Sequence, residues 1–420
     1  MKKFLTATTL SAACLWSASA LASGYQLNEY SVTNLGRSFA GAGVVGDDYS
    51  AIAYNPAGMT LKKSGLQASF TMAEVAADVR GQSPDSLGKK TDMDFGVPLP
   101  AAFGQYQIND KWFIGGGVYA PYGLATRYKK DSFVADSARK STLEVIDYNL
   151  STAYKLNSQW SFGASFIARY IYGNMTNNIN HPVAGKIGES EFELDGWTYT
   201  GTLGVMYSPS ENTRVGLSYK PKSIQRVKGD HTITATSPAA AGIAGVYSDG
   251  KSSPDLPETV LLSAYHKPFE KTAFTGSVRF TRWGDSFEKF SMTSTATAGK
   301  PSVKYNWKDS WTISAGTEHY LNDNWTLRFG TAWDQSPSRD NRYRTHRIPD
   351  SDRIWISAGL SYTYNNMQFD LGYAHLFMKK SFIRESGNPA YNDHSSKYEA
   401  YSNMSVSYTH LRAHETREDL

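Results

Sequence analysis

Residues 325–333 read Trp325-Thr326-Leu327-Arg328-Phe329-Gly330-Thr331-Ala332-Trp333. Successive side chains of a strand point to opposite faces. Trp325, Leu327, Phe329, Thr331 and Trp333 therefore share one face, and Thr326, Arg328, Gly330 and Ala332 share the other. The first face is mainly apolar and begins and ends on tryptophan. The second is small or polar and carries an arginine. Such a strand suits a wall with hydrocarbon on one side, a polar interior on the other, and aromatic residues at both interfaces. The period recurs nearby. Met367, Phe369, Leu371 and Tyr373 oppose Gln368, Asp370, Gly372 and Ala374, and Ile354, Ile356, Ala358, Leu360 and Tyr362 oppose Trp355, Ser357, Gly359 and Ser361.

Working outward, the same alternation predicts strands near 66–75, 101–107, 112–119, 143–154, 160–172, 197–207, 213–220, 258–266, 272–282, 309–320, 325–333, 352–362, 367–376 and 398–408. Short polar turns (109–111, 157–159, 208–212, 267–271, 322–324, 365–366) alternate strictly with long connections near 76–100, 120–142, 173–196, 221–257, 283–308, 334–351 and 377–397. A soluble sandwich has no reason for this pattern. An outer-membrane barrel has one, with short periplasmic turns and long external loops. Closure also removes the unpaired edges that hydrocarbon does not tolerate. The expected fold is all-β: a roughly fourteen-stranded antiparallel transmembrane β-barrel, spanning residues 65–410.

Composition agrees. The 420 residues include 27 Tyr, 19 Phe, 10 Trp and 35 Gly, with only 20% charged. No apolar run after residue 23 approaches the roughly 18–20 residues of a membrane helix. The net charge of +4 is scattered, without the basic stripe that nucleic acid demands. At the start, Lys2 and Lys3, the apolar stretch from Phe4 to Trp16 and the small-x-small site Ala20-Leu21-Ala22 predict a signal peptide over 1–22. The single cysteine, Cys14, lies inside it and reads as an ordinary signal residue, so no disulfide holds the mature chain.

The first strand must rise from the periplasmic side, so the forty or so residues before it are expected to start at that end. Residues 23–64 carry Leu35, Phe39, Val44, Val45, Ile52 and Met59, which a dangling tail would leave in water. They are expected to fold into the lumen as a hatch. Gly41-Ala-Gly43-Val-Val-Gly46 is a literal G-x-G-x-x-G, but Lys62-Lys63 stand where a dinucleotide loop needs its acid. It reads as a tight glycine-rich turn. There is no His-Glu-x-x-His and no Gly-x-Ser-x-Gly, so no catalytic residue, metal or cofactor is assigned. His319 and His375 read as interfacial residues on outward stripes, and Arg328 as half of a salt bridge in the lumen.

Taken in order, several segments resemble the FadL-type outer-membrane long-chain fatty acid transporters. Tyr25-Gln26-Leu27-Asn28-Glu29, Asn34-Leu35-Gly36-Arg37, Asp47-Asp48 and Tyr54-Asn55-Pro56-Ala57-Gly58-Met59 look like that family's hatch. Tyr122-Gly123-Leu124-Ala125-Thr126 looks like the segment following its third strand. Leu256-Pro257-Glu258, Trp307-Lys308-Asp309 and Ile348-Pro349-Asp350-x-Asp352-Arg353 also match. The resemblance implies uptake of long-chain fatty acids or similar hydrophobic compounds, by way of an external groove, an inner pocket, hatch movement and lateral exit through the barrel wall. It implies a gating role for Asn55, Pro56 and Ala57, and a lateral-opening kink at Ala120, Pro121, Tyr122 and Gly123. Lys308 would bind the ligand carboxylate. The position matching a second basic ligand residue of the family is near Asn177, which is neutral. The alternatives are an aromatic hydrocarbon transporter of the same family, an outer-membrane enzyme acting on lipid, and an unplugged diffusion porin.

The implied partners are the hydrophobic ligand, outer-membrane lipid and lipopolysaccharide, and the barrel assembly machinery, with the protein acting as a monomer in the Gram-negative outer membrane. Barrels of this kind usually end on an aromatic residue. Here the chain instead continues from His410 through a polar stretch, so 411–420 read as a non-native tail outside the barrel.

Overall fold

The computed structural model describes residues 24–84, 86–181, 185–297, 302–384 and 395–412. The expected signal peptide falls outside them. Fourteen long strands form the wall: β1 (Gly65–Gly81), β2 (Lys90–Gln107), β3 (Trp112–Arg127), β4 (Lys140–Lys155), β5 (Trp160–His181), β6 (Gly185–Ser210), β7 (Thr213–Lys220), β8 (Thr259–Phe269), β9 (Thr272–Thr281), β10 (Ser310–Tyr320), β11 (Trp325–Asp334), β12 (Arg353–Tyr364), β13 (Met367–Met378) and β14 (Ser396–Arg412). Each pairs antiparallel with the next. β14 pairs with β1 from Gly65↔Arg412 to Gly81↔Ser396, which closes the ring. β14 thus runs two residues past the expected end at 410, through Leu411 and Arg412, and residues 413–420 lie outside the described set.

The outer face is greasy. Leu150, Phe166, Tyr199, Phe329 and Leu371 are each more than half exposed. In water such a surface would be a liability, whereas against lipid it is the hydrophobic band. The short turns repeat one device. Asn109, Asn157 and Asn322 each accept, through Oδ1, the backbone N–H groups two and three residues on, at 2.8–3.0 Å. An Asx turn of this kind closes the hairpin locally. The third residue on is always a tryptophan packed at a tilt against the tyrosine of the neighbouring strand: Trp112 on Tyr154, Trp160 on Tyr207, Trp325 on Tyr362, with centroids 4.5–4.7 Å apart. This is the aromatic girdle at one membrane face.

Two expectations need correction. The connection near 173–196 is not a loop, because β5 and β6 stay paired up to His181↔Gly185. Likewise β1 and β2 cross much of 76–100 as a ladder reaching Arg80↔Lys90. Above the hydrocarbon both faces of a strand meet water or loops, so apolar alternation fades while backbone pairing continues. For the same reason Tyr122–Thr126 do not follow the third strand but belong to β3.

Residues 24–64 lie inside the ring, with Leu35, Ala40, Ile52 and Ala57 wholly buried. They form a short helix over Val32–Gly36, another over Ala51–Tyr54 and a 3-10 turn over Pro56–Leu61. Gly41, Gly43 and Gly46 take φ of 73°, 79° and 81°, the left-handed region in which the chain coils back on itself. The G-x-G-x-x-G segment is therefore turn-forming, as expected. The hatch does not start at the short-turn end. Gly24 donates its N–H to Asp350, in a long connection at the opposite end, and the hatch reaches the short-turn end further along, at Val44 and Val45, whose carbonyls accept from Arg214 near the start of β7, and at its last residues, where Ser64 Oγ accepts from Gln107 N. The sequence tied only the junction with β1 to that end.

Candidate functional site

Two rows of wall glycines seat the hatch. Gly163, Gly204 and Gly216, on β5, β6 and β7, lie beneath Asn55-Pro56-Ala57 and Val44. A Cβ on Gly163 would collide with the backbone at Pro56 and Ala57, and one on Gly204 with the Asn55 amide. Gly316, Gly330, Gly359 and Gly372, on four successive strands from β10 to β13, lie beneath Val32, Gly36 and Arg37. Backbone meets backbone at both seats, which only glycine permits. Asn55 fixes the first seat from above. Its Oδ1 accepts from Ala57 N at 3.1 Å and its Nδ2 donates to Val205 O at 3.2 Å. Losing both bonds costs roughly 1–3 kcal/mol. Asn55→Ala is therefore expected to slow ligand uptake while the barrel still folds, and growth on oleate at the wild-type rate would remove Asn55 from gating.

The second seat is latched by charge. Arg37 of the hatch pairs with Asp47 at 2.7 Å and with Glu318 of β10. Arg328 of β11 reaches Glu318 at 2.7 Å, Asp47 at 3.2 Å and Asp370 of β13 at 3.8 Å. Two guanidinium groups thus share three carboxylates deep in the lumen, between hatch and wall. Arg328 is the lumen salt bridge expected of it, extended into a network.

Around Ala120 and Pro121 the pairing of the wall is interrupted. β2 and β3 pair only from Gln107↔Phe113 to Ala102↔Val118. Beyond that point β2 pairs with β1 and β3 with β4, and the β3–β4 register slips between Tyr119 and Tyr122, around Ala120 and Pro121. Pro98, Pro100 and Pro121 each lack the N–H that a ladder requires. The hatch fills the missing pairing. Leu27 N donates to Pro121 O at 2.8 Å, Gly123 N donates to Tyr25 O at 2.9 Å, and Gln26 bridges Tyr122. Behind this point the Arg169 guanidinium stands 5.4 Å over the Tyr122 ring and pairs with Asp147 at 2.6 Å, which holds the kinked strand.

An apolar cleft lies on the long-loop side of the kink, lined by Tyr25, Leu124, Leu143, Ile171, Met175, Val227, Phe287, Phe290, Tyr305 and Ile348, with Arg347 at one edge. It encloses about 520 Å³ between atoms, counting its open mouth. A second, more polar cavity begins at Gln26 and Tyr122 and includes Lys220 and Arg279. The hatch segment 25–27 separates the two. Long connections build the cleft together with β3, β4 and β5, which supply Leu124, Leu143, Ile171 and Met175, and the segments singled out in sequence converge on it. Trp307 packs on Phe287 at 4.5 Å, Trp283 on Tyr25 at 4.8 Å, and Leu256 is buried among them. Asp350 accepts from Gly24 N at 3.2 Å and pairs with Arg353 at 2.5 Å, tying the hatch to the loop over 335–352. Burial pushes the Asp350 carboxyl up, while Arg353 pulls it down. Lys308 is half-buried, with its N–H donating to Pro337 O, and does not line the cleft. Arg347, the glycine seats and the Arg37 latch escaped the sequence reading. The only signal for the seats was glycine on the inward face of consecutive strands.

A closed barrel with lipid-facing stripes, a latched hatch and a gapped wall defines a class, the hatch-plugged outer-membrane transport barrels. The chain belongs to the outer membrane protein transport protein family (OMPP1/FadL/TodX), whose model matches residues 13–416. It is 30% identical to the long-chain fatty acid transport protein of Salmonella typhi, over 91% of this chain and 94% of that one. It is 29% identical to the 47 kDa outer membrane protein of Pasteurella multocida, over 92% and 95%. Among solved structures, a Pseudomonas aeruginosa FadL homologue superposes with a TM-score of 0.82 at 21% identity, covering 93% of this chain and all of that one. The Pseudomonas putida toluene transporter TodX superposes with a TM-score of 0.71 at 18% identity, covering 92% and 99%. At those identities the structures speak to the fold alone. The relatives with printed functions are transport proteins and channels, not enzymes.

Proposed function

We propose that this outer-membrane protein takes up long-chain fatty acids, and that the ligand passes from the apolar cleft, past the displaced hatch segment 25–27, to the β2–β3 gap and out sideways into the membrane. The observation that carries this reading is the juxtaposition of a greasy cleft with a break in wall pairing that the hatch alone fills. A hydrophobic molecule gains nothing from a water-filled pore, and lateral exit spares it hydration. Asn55, Pro56 and Ala57 hold the hatch until it moves. Ala120, Pro121, Tyr122 and Gly123 frame the exit. Outer-membrane lipid and lipopolysaccharide surround the barrel, the assembly machinery inserts it, and it acts as a monomer.

Lys308, whose ammonium has no ion-pair partner among the described residues, is proposed to meet the carboxylate at the rim of the connection it borders. Lys308→Ala should weaken fatty acid binding by roughly 1.5–3 kcal/mol, the worth of a charge-assisted hydrogen bond, and barely change binding of a neutral hydrocarbon of similar size. Equal losses for both would make the lysine structural. Native mass spectrometry of gently purified protein tests the ligand class. A copurified fatty acid supports the proposal, and a copurified aromatic hydrocarbon replaces it with transport of that class.

A further inference from the structure

The polar inner cavity encloses about 430 Å³ between atoms and lies between hatch and wall. Gln26, Asn28, Tyr30 and Tyr54 of the hatch line one side of it, and Thr202 of β6, Lys220 of β7 and Arg279 of β9 line the other. The lining holds two cations and, among the described residues, no acid.

The charge around it does not balance. Asp147 of β4 is the carboxylate beside this group, and both its oxygens are taken by Arg169 of β5, Oδ1 accepting from Nε at 2.6 Å and Oδ2 from a terminal nitrogen at 2.8 Å. The Lys220 ammonium reaches that second oxygen only at 3.8 Å. Arg279 has no ion pair among the described residues. Three cations therefore share one carboxylate, and Arg169 and Arg279 are almost wholly buried. The latch shows the opposite balance, with two guanidinium groups among three carboxylates. A buried guanidinium without a counter-charge is costly, and it does not shed its proton.

Hydrogen bonding around the cavity is unbalanced in the same direction. One terminal nitrogen of Arg279 donates to Asn28 Oδ1, and its other N–H groups meet no acceptor among the described residues. The Nδ2 group of Asn28 meets none there either. Thr202 Oγ1 is enclosed and has no hydrogen-bond partner among the described residues. Donors and positive charge thus converge on one small space from both hatch and wall. In a low-dielectric interior such a group attracts an anion far more strongly than it would in water.

We propose that this cavity binds a small inorganic anion, of halide or formate size, between Arg279 and Lys220 of the wall and Asn28 of the hatch. The anion supplies the missing negative charge and accepts from donors on both sides, so it joins hatch to wall at a second place besides the carboxylate latch. The site does not depend on the transported ligand being a fatty acid, because its lining is polar and separated from the apolar cleft by hatch segment 25–27.

The test uses full-length protein in detergent, with gluconate as the bulky background anion and chloride and bromide as probes. Chloride-35 nuclear magnetic resonance should show saturable line broadening by wild-type protein, and crystals grown in bromide should show an anomalous peak between Arg279 and Lys220. Arg279→Gln is expected to weaken chloride binding at least tenfold. Arg279→Lys keeps the charge and should bind within about threefold of wild type. Lys220→Met should lose affinity several-fold, and it serves if the glutamine variant does not fold. Absence of both saturable broadening and the bromide peak in wild-type protein would overturn the proposal. So would chloride binding that Arg279→Gln and Lys220→Met leave unchanged. Crystals grown with oleate that place its carboxylate at this point would also overturn it, and would assign the surplus charge to a ligand in transit.

Discussion

Gly163→Leu is expected to leave the barrel closed and the hatch unseated. The new side chain would occupy the space now filled by the backbone of Pro56 and Ala57, on which the whole 3-10 turn rests. Ordinary overpacking costs about 1–3 kcal/mol because side chains can shift. Here the obstacle is main chain, held by the two Asn55 hydrogen bonds, so little can give way. The side chain points into the lumen, so wall pairing between β5 and β6 should survive. In planar bilayers the variant should show large, steady conductance where the parent is closed, and cells carrying it should become sensitive to bulky antibiotics that the outer membrane normally excludes. A variant that assembles, stays electrically closed and takes up oleate normally would show that the glycine row does not hold the hatch.

The second large effect concerns the latch. Arg37→Ala removes one of two cations from a buried group containing Asp47, Glu318 and Asp370. Arg328 alone then faces three carboxylates. Removing one partner from a buried ion pair costs roughly 3–5 kcal/mol, because the other charge is left uncompensated. That loss should appear as hatch release, since Arg37 and Asp47 belong to the hatch and the remaining groups to the wall. Limited proteolysis of folded protein should cut within residues 24–64 of the variant and spare the parent. Adding Asp47→Asn to Arg37→Ala should restore part of the protection by removing one stranded charge. If the double variant is cut faster than the single one, the network does not act as a latch.

Much of this was legible in residue order. Alternation such as that of 325–333 placed the strands, because lipid on one face and lumen on the other impose a period of two on every strand within the hydrocarbon. Asn109, Asn157 and Asn322 marked the tight turns. The apolar content of residues 23–64 pointed into the lumen. The reading failed where the physics changed. Above the membrane the two faces of β5 and β6 no longer differ in kind, so the period faded and a long hairpin resembled a loop.

By itself the sequence determined the all-β class, the ring of fourteen strands, the outward face and the presence of a hatch, since each follows from local patterning that a neighbouring residue can reveal. The tertiary structure alone decided the rest. Gly163, Gly204 and Gly216 become a seat only when three strands align in register beneath Asn55-Pro56-Ala57. Arg37 and Arg328, 291 positions apart by their numbers, share carboxylates only once the hatch is docked. Arg347 comes to the edge of the cleft through hydrogen bonds to Ser137, Ser141 and Asn177, all far from it in the chain. Close approach of backbone and the sharing of buried charge depend on distances in space, which a one-dimensional pattern does not carry.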